Sequence, residues 1–181
     1  MTCHCQSFSK SGNMYQVVNM TCSASLKAPI ARLEEIPLPH ARYNPRRFSA
    51  IFGRFEEHHT TALVFKSGKI ITAGSLEVAQ AEAVVAEIAA MCRQDIAHFA
   101  VTNIASRLDV GFRVAIDRLA NENNSIVKFE PELSTSCVIR TPTAVSLLHF
   151  SGRGILTSIK SIEDIPEAAN GIVALVAPYK L

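Results

Sequence analysis

Side chains able to do chemistry by type alone are few in this 181-residue chain. Thiolates and imidazoles are metal ligands, and Cys3-His4-Cys5 offers both; adjacent ligands at a chain terminus lack the spacing of a closed zinc site, so no metal is expected. His58-His59, the other imidazole group, falls between two strand-like segments and reads as a solvated turn. No acid, base and nucleophile converge, which argues against an enzyme and leaves no cofactor to expect. The remaining chemistry is electrostatic. Arg46, Arg47, Arg54, Lys66 and Lys69 cluster in the first half and Arg140, Arg153 and Lys160 in the second. Each alone is an ordinary strand-edge charge. The stretch 77–95 carries Glu77, Glu82, Glu87 and Asp95 against only Arg93, so a formal charge of +2 is polarised into basic strands and an acidic helix. That is the pattern of a sheet that faces phosphates.

The elements that must position these cations occur twice. Asn19 matches Asn103, Tyr43 of Tyr43-Asn44-Pro45 matches Phe129 of Phe129-Glu130-Pro131, Arg54 matches Arg140, and Ser67-Gly68 matches Ser151-Gly152, at offsets of 84, 86, 86 and 84 residues. A drift of two residues fits insertions confined to loops. Copies this long exceed a solenoid unit and predict a pseudo-twofold domain. Residues 1–14 read as a flexible tail, 15–98 as the first repeat and 99–181 as the second.

Composition agrees, since 48% apolar residues suffice for a substantial core. The start lacks a basic segment followed by an apolar one, and Glu82 and Glu87 interrupt the most apolar helix, so neither a signal peptide nor a membrane span is expected. Five cysteines without framework spacing suggest a reducing, intracellular setting, with Cys22, Cys92 and Cys137 as core fillers.

Within the first copy, 48–55, 60–65 and 69–73 read as strands, with a tight turn at Lys66-Ser67-Gly68. The second copy gives 137–141, 143–150 and 155–158. Short helices are suggested over 28–36, which Pro29 breaks, and 112–119. Ser75 is a candidate cap for a long helix with Val78, Ala81, Val84, Val85, Ile88 and Cys92 on one face. Ser161 and Asp164 resemble a capping box before a second, which Pro166 and Gly171 should weaken or kink. Two antiparallel meanders and two long helices predict an α+β domain with helices on one sheet face and the other left free.

These residues resemble the core of the TATA-box-binding protein family. The likeness is carried by Tyr43-Asn44-Pro45-Arg46-Arg47-Phe48, by the run from Thr60 to Lys69, by Phe129-Glu130-Pro131-Glu132-Leu133 and by Ser151-Gly152-Arg153, and spans about residues 15–178. It implies a saddle of two pseudosymmetric halves, with a concave sheet of about ten strands binding the DNA minor groove and helices on the convex face. It also implies that Asn19 and Asn103 donate to minor-groove acceptors, that Leu63, Ile71, Leu147 and Ile155 lie along the groove floor, and that Thr157 contacts bases. Arg46, Arg47, Arg54, Lys69, Arg140, Arg153 and Lys160 would serve the phosphates. Glu130 and Glu132 match an acidic stirrup that engages transcription factor IIB; other initiation factors or repressors are further possible partners, in the nucleus.

One departure stands out. The family wedges two phenylalanines at each end of its site, and Phe48 and Phe65 match the first pair, but Ser134 and His149 occupy the positions of the second. Phe150 is one residue away, which on a strand is the opposite face. Deformation of DNA at that end loses its mechanism, so altered TATA recognition is expected. The alternative is a protein-interaction module that keeps the fold and stirrup with little specific DNA binding.

Overall fold

The structure, a computed structural model, describes residues 14–181. Cys3-His4-Cys5 and nearly all of the expected tail lie outside the described residues. The strands are β1 (Tyr15–Leu26), β2 (Ala50–Phe55), β3 (Thr60–Phe65), β4 (Lys69–Ser75), β5 (Ile96–Asp109), β6 (Val127–Lys128), β7 (Ser136–Arg140), β8 (Val145–His149) and β9 (Arg153–Ile159). The helices are α1 (Val78–Met91), α2 (Ile116–Glu122) and α3 (Ile165–Val176). Hydrogen bonding links the strands in the order β2, β3, β4, β1, β5, β9, β8, β7, β6, a nine-stranded antiparallel sheet. Nine strands accord with the expected sheet of about ten: the repeat partner of β6 is reduced to an isolated bridge between Arg42 and Phe52, where β6 pairs Lys128 with Val138.

The chain forms two compact units, Asn19–Asn103 and Ile104–Leu181 with the start of β1 up to Val18. The division falls within β1 and β5.

In the Asn19–Asn103 unit, period-two alternation buries Ala24, Leu26, Ile51, Phe55, Ala62, Val64 and Ile70, and α1 covers them with Val84, Val85, Ile88 and Ala89. The helix forms over an Ala- and Val-rich run, and its cap is not Ser75. The N-cap is Glu77, and Gln80 Oε1 accepts from Leu76 N at 2.9 Å and Glu77 N at 3.3 Å. Ser75 is buried at the end of β4, with its hydroxyl partnerless among the described residues. The expected helix over 28–36 shrinks to a 3-10 turn, Leu33–Glu35.

In the Ile104–Leu181 unit the same alternation buries Ile104, Leu108, Cys137, Ile139, Leu148 and Leu156, and α3 contributes Ile165, Ala168, Ala169, Ile172 and Val176. Pro166 does not kink α3, because it sits in the first turn, where no intrahelical N–H is needed. Ser161 caps a preceding 3-10 turn, accepting from Glu163 N at 3.3 Å, and Asp164 is the N-cap of α3 without a side-chain cap bond. The short helix expected at 112–119 is α2, starting four residues later. Cys22 and Cys137 are core fillers; burial pushes the Cys137 thiol up to about 11 and raises that of Cys22. Cys92 is only partly buried.

The repeats match in register. Ladder pairs Phe52–Leu63 and Leu63–Ile71 recur as Val138–Leu147 and Leu147–Ile155. The two-residue drift comes partly from one hairpin: Phe55–Thr60 closes over Glu56–His59, whereas Thr141 N bonds Ala144 O at 2.9 Å across Pro142 and Thr143 alone. Both β3–β4 and β8–β9 turns place glycine in the left-handed region, Gly68 at φ 84° and Gly152 at φ 82°, with Gly68 N on Phe65 O and Gly152 N on His149 O, each at 2.9 Å.

Candidate nucleic-acid interface

The sheet face opposite the helices carries the residues that alternate with the buried ones. In the first unit, one cross-strand row is Phe52, Leu63, Ile71 and Ser23, and the next is Arg54, Thr61, Ala73 and Thr21. An apolar stripe therefore lies beside a polar one. Arg54 is held by its neighbour, Nη1 donating to Thr61 Oγ1 at 3.0 Å. Asn19 Oδ1 accepts from Gly74 N at 2.8 Å, which fixes the amide with its NH₂ left to donate. Such a donor suits the A N3 and T O2 acceptors of a minor groove.

Phe48 and Phe65 come together from a turn and a strand end. Their ring centroids are 6.0 Å apart, edge to face, and Phe48 is 50% exposed. The turn before β2 positions Phe48: Asn44 O accepts from both Arg47 N and Phe48 N at 3.0 Å, and Arg46 and Arg47 are exposed on it. Lys69 is exposed at the start of β4, and Lys66 is exposed in the turn before it.

The second unit repeats the frame with different side chains. Its rows are Val138, Leu147, Ile155 and Arg107, then Arg140, Val145 and Thr157, with Ser136 opposite His149. Ala105, Arg107 and Asp109 alternate onto this side of β5, and Asn103, the last residue of the first unit, is half-buried on the same strand. Glu130 O accepts from Leu133 N and Ser134 N at 3.0 Å, the same turn as at Asn44. Glu130, Glu132 and Leu133 are displayed on it, Leu133 being 80% exposed. Ser134 Oγ accepts from Ser136 N at 3.0 Å, so the side chain in the Phe48 position closes a turn.

His149 takes the Phe65 position and is fixed differently. Its Nδ1 accepts from Ser151 N at 3.2 Å and lies 2.9 Å from Ser151 Oγ, so the neutral ring carries its proton on Nε2. Phe150 does not replace the missing wedge. It lies in the turn after β8, its ring 4.2 Å from His149 with the Arg113 guanidinium 5.2 Å from its centroid.

The cations divide into held and free. Arg153, expected on phosphate, donates from Nε to Asp109 at 3.1 Å. Arg140 and Lys160 are exposed, Lys160 just beyond β9. The acidic stretch 77–95 is partly neutralised: Glu87 on α1 lies 2.9 Å from His58 Nε2, and Lys27 donates to Asp95, beyond the end of α1, at 2.8 Å and draws its carboxyl below the usual range. His58 is therefore a partner of α1 and not simply a solvated turn residue. The sequence reading passed over Phe52 and Arg107, both on the open face; even spacing from Arg54 and from Asn103 would have found them. Among the described residues no group of three or more His, Cys, Asp or Glu could hold a metal.

Two copies of a strand meander backed by helices, with an open face of donors, cations and apolar side chains, define a duplicated α+β fold of the nucleic-acid-binding kind. The family described as "Transcription factor TFIID (or TATA-binding protein, TBP)" matches residues 14–94 and again 98–179. The chain belongs to that family of transcription factors. It is 31% identical to the TATA-box-binding protein of Dictyostelium discoideum over 175 residues, 93% of this chain and 83% of that one. Identity to the TATA box-binding protein-like 2 of Homo sapiens is 29%, over 93% of this chain and half of that one. Among solved structures, Methanococcus jannaschii TBP superposes with a TM-score of 0.79 at 26% identity, covering 92% of this chain and 99% of that one.

Proposed function

We propose that this protein is a nuclear initiation factor that binds and bends the minor groove of A/T-rich promoter DNA, with altered TATA recognition, and recruits transcription factor IIB. The observation that carries the reading is the Phe48–Phe65 pair, Phe48 exposed and Phe65 half-buried, beside the apolar row of Phe52, Leu63 and Ile71 and the oriented amide of Asn19. Aromatic wedges unstack a base step at a cost of a few kcal/mol and expose more groove surface to the protein. The second unit presents Ser134 and His149 instead, a hydroxyl engaged in a turn and a ring tied to Ser151. Bending at that end has no wedge to drive it, and a smooth bend costs about 1 to 6 kcal/mol.

The test is energy transfer between fluorophores at the ends of TATA and non-TATA duplexes titrated with protein. The expected result is a bend that Phe48→Ala/Phe65→Ala abolishes with at least a tenfold loss of affinity. A transfer signal that never changes, or one indifferent to the double substitution, sinks the bending reading.

A second reading, a protein-interaction module with little specific DNA binding, is favoured by the displayed turn of Glu130, Glu132 and Leu133 beside the missing wedges. Glu130→Arg should weaken capture of transcription factor IIB in either case. Undiminished capture removes the claim that this turn is the contact.

A further inference from the structure

We infer that Arg107 is a base-reading residue of the second unit, its guanidinium entering the minor groove beside Ile155 and discriminating A·T from G·C pairs. The inference rests on the DNA-binding reading above and goes beyond it. The repeat itself isolates the residue. The row Phe52, Leu63, Ile71 in the first unit ends on Ser23, whereas Val138, Leu147, Ile155 in the second ends on Arg107, 84 residues on. A small hydroxyl has given way to five N–H donors at the one row where both units otherwise keep apolar side chains.

Arg107 is exposed on β5, between the buried Ser106 and Leu108, and pairs directly with Ile155. Neighbouring strands are about 4.8 Å apart, so whatever lies on Ile155 also lies within reach of the guanidinium. With Asp109, Arg153 and Ile155 it lines an open hollow of about 540 Å³. The two cations of that hollow are not equivalent. Arg153 is engaged by Asp109 at 3.1 Å, while Arg107 has neither an ion pair nor a side-chain hydrogen bond among the described residues.

The chemistry fits an A·T pair. The minor groove there shows only acceptors, A N3 and T O2, and a G·C pair adds the N2 amino donor, which opposes a guanidinium. Aromatic unstacking is missing from this unit, so hydrogen-bond readout at Arg107 gives it a sequence preference that does not depend on a wedge.

The experiment compares the full chain with Arg107→Ser, the residue of the first repeat, and with Arg107→Lys. Affinity is read by fluorescence anisotropy on an A/T-rich duplex and on duplexes carrying single G·C or inosine·C pairs, at several salt concentrations. Arg107→Ser should lose about tenfold or more on the A/T duplex and flatten the A·T to G·C ratio at one or two adjacent pairs. Inosine, which lacks the N2 amino group, should restore wild-type binding and leave Arg107→Ser unchanged. Circular dichroism and melting should match the parent, since the side chain is exposed.

Equal discrimination by Arg107→Ser and the parent overturns the inference. So does a uniform loss across sequences with a shallower salt slope, the sign of a phosphate contact. If the parent itself shows no binding that depends on Phe48 and Phe65, the DNA reading fails as a whole, a result separable from failure at Arg107 alone.

Discussion

At the scale of single residues the second unit carries polar side chains at particular positions where the first repeat is apolar. Ser146, fully buried in β8, stands where the first repeat has Ala62, and its hydroxyl has no partner among the described residues. An unpaired buried hydroxyl forfeits its hydration without recompense. Ser146→Ala should therefore stabilise the protein by about 1 kcal/mol. A urea midpoint that stays put or falls would mean that the hydroxyl is satisfied. His149 and Ser134 follow the same pattern at the surface, where polarity replaces an aromatic ring.

At the scale of elements the turns are more constrained than the strands they join. Gly152 has φ 82°, and a Cβ there would run into the Phe112 carbonyl oxygen and crowd Val110. Gly68 has φ 84°, and a Cβ would come within 2.8 Å of the Ala28 carbonyl. Gly152→Ala should cost roughly 2 kcal/mol or more, because left-handed strain adds to the clash. Thermal unfolding would show it as a lowered midpoint, and an unshifted one would mean that the β8–β9 turn relaxes freely. Strand positions were legible from sequence because alternation survives in almost every segment. Helix starts were not: Ser75 has the right chemistry for a cap, but β4 continues through it, and a neighbouring strand ladder outcompetes a local cap.

At the scale of the whole molecule the relevant quantity is how many cations remain available to phosphate. Arg46, Arg47, Lys69, Arg140 and Lys160 are exposed and have no ion pair among the described residues, whereas Arg153 is bound to Asp109. About five available charges predict a slope of log affinity against log salt near −4 to −5. Asp109→Asn, by releasing Arg153, should steepen it by about one unit. Filter binding or anisotropy across salt reads both slopes. A slope near zero would remove phosphate contact from the account, and an unchanged slope in Asp109→Asn would show that Arg153 is already available.

The sequence by itself determined the duplication, the α+β class, the family and the asymmetry of the aromatic pairs, because each is written in residue types at fixed spacing. Only tertiary structure decided which charges are free. Asp109 and Arg153 are 44 residues apart, as His58 and Glu87 are 29 apart, and no local pattern announces either pair. It also decided that Arg107 shares a row with Ile155, since cross-strand neighbours are set by register between distant segments and not by distance along the chain.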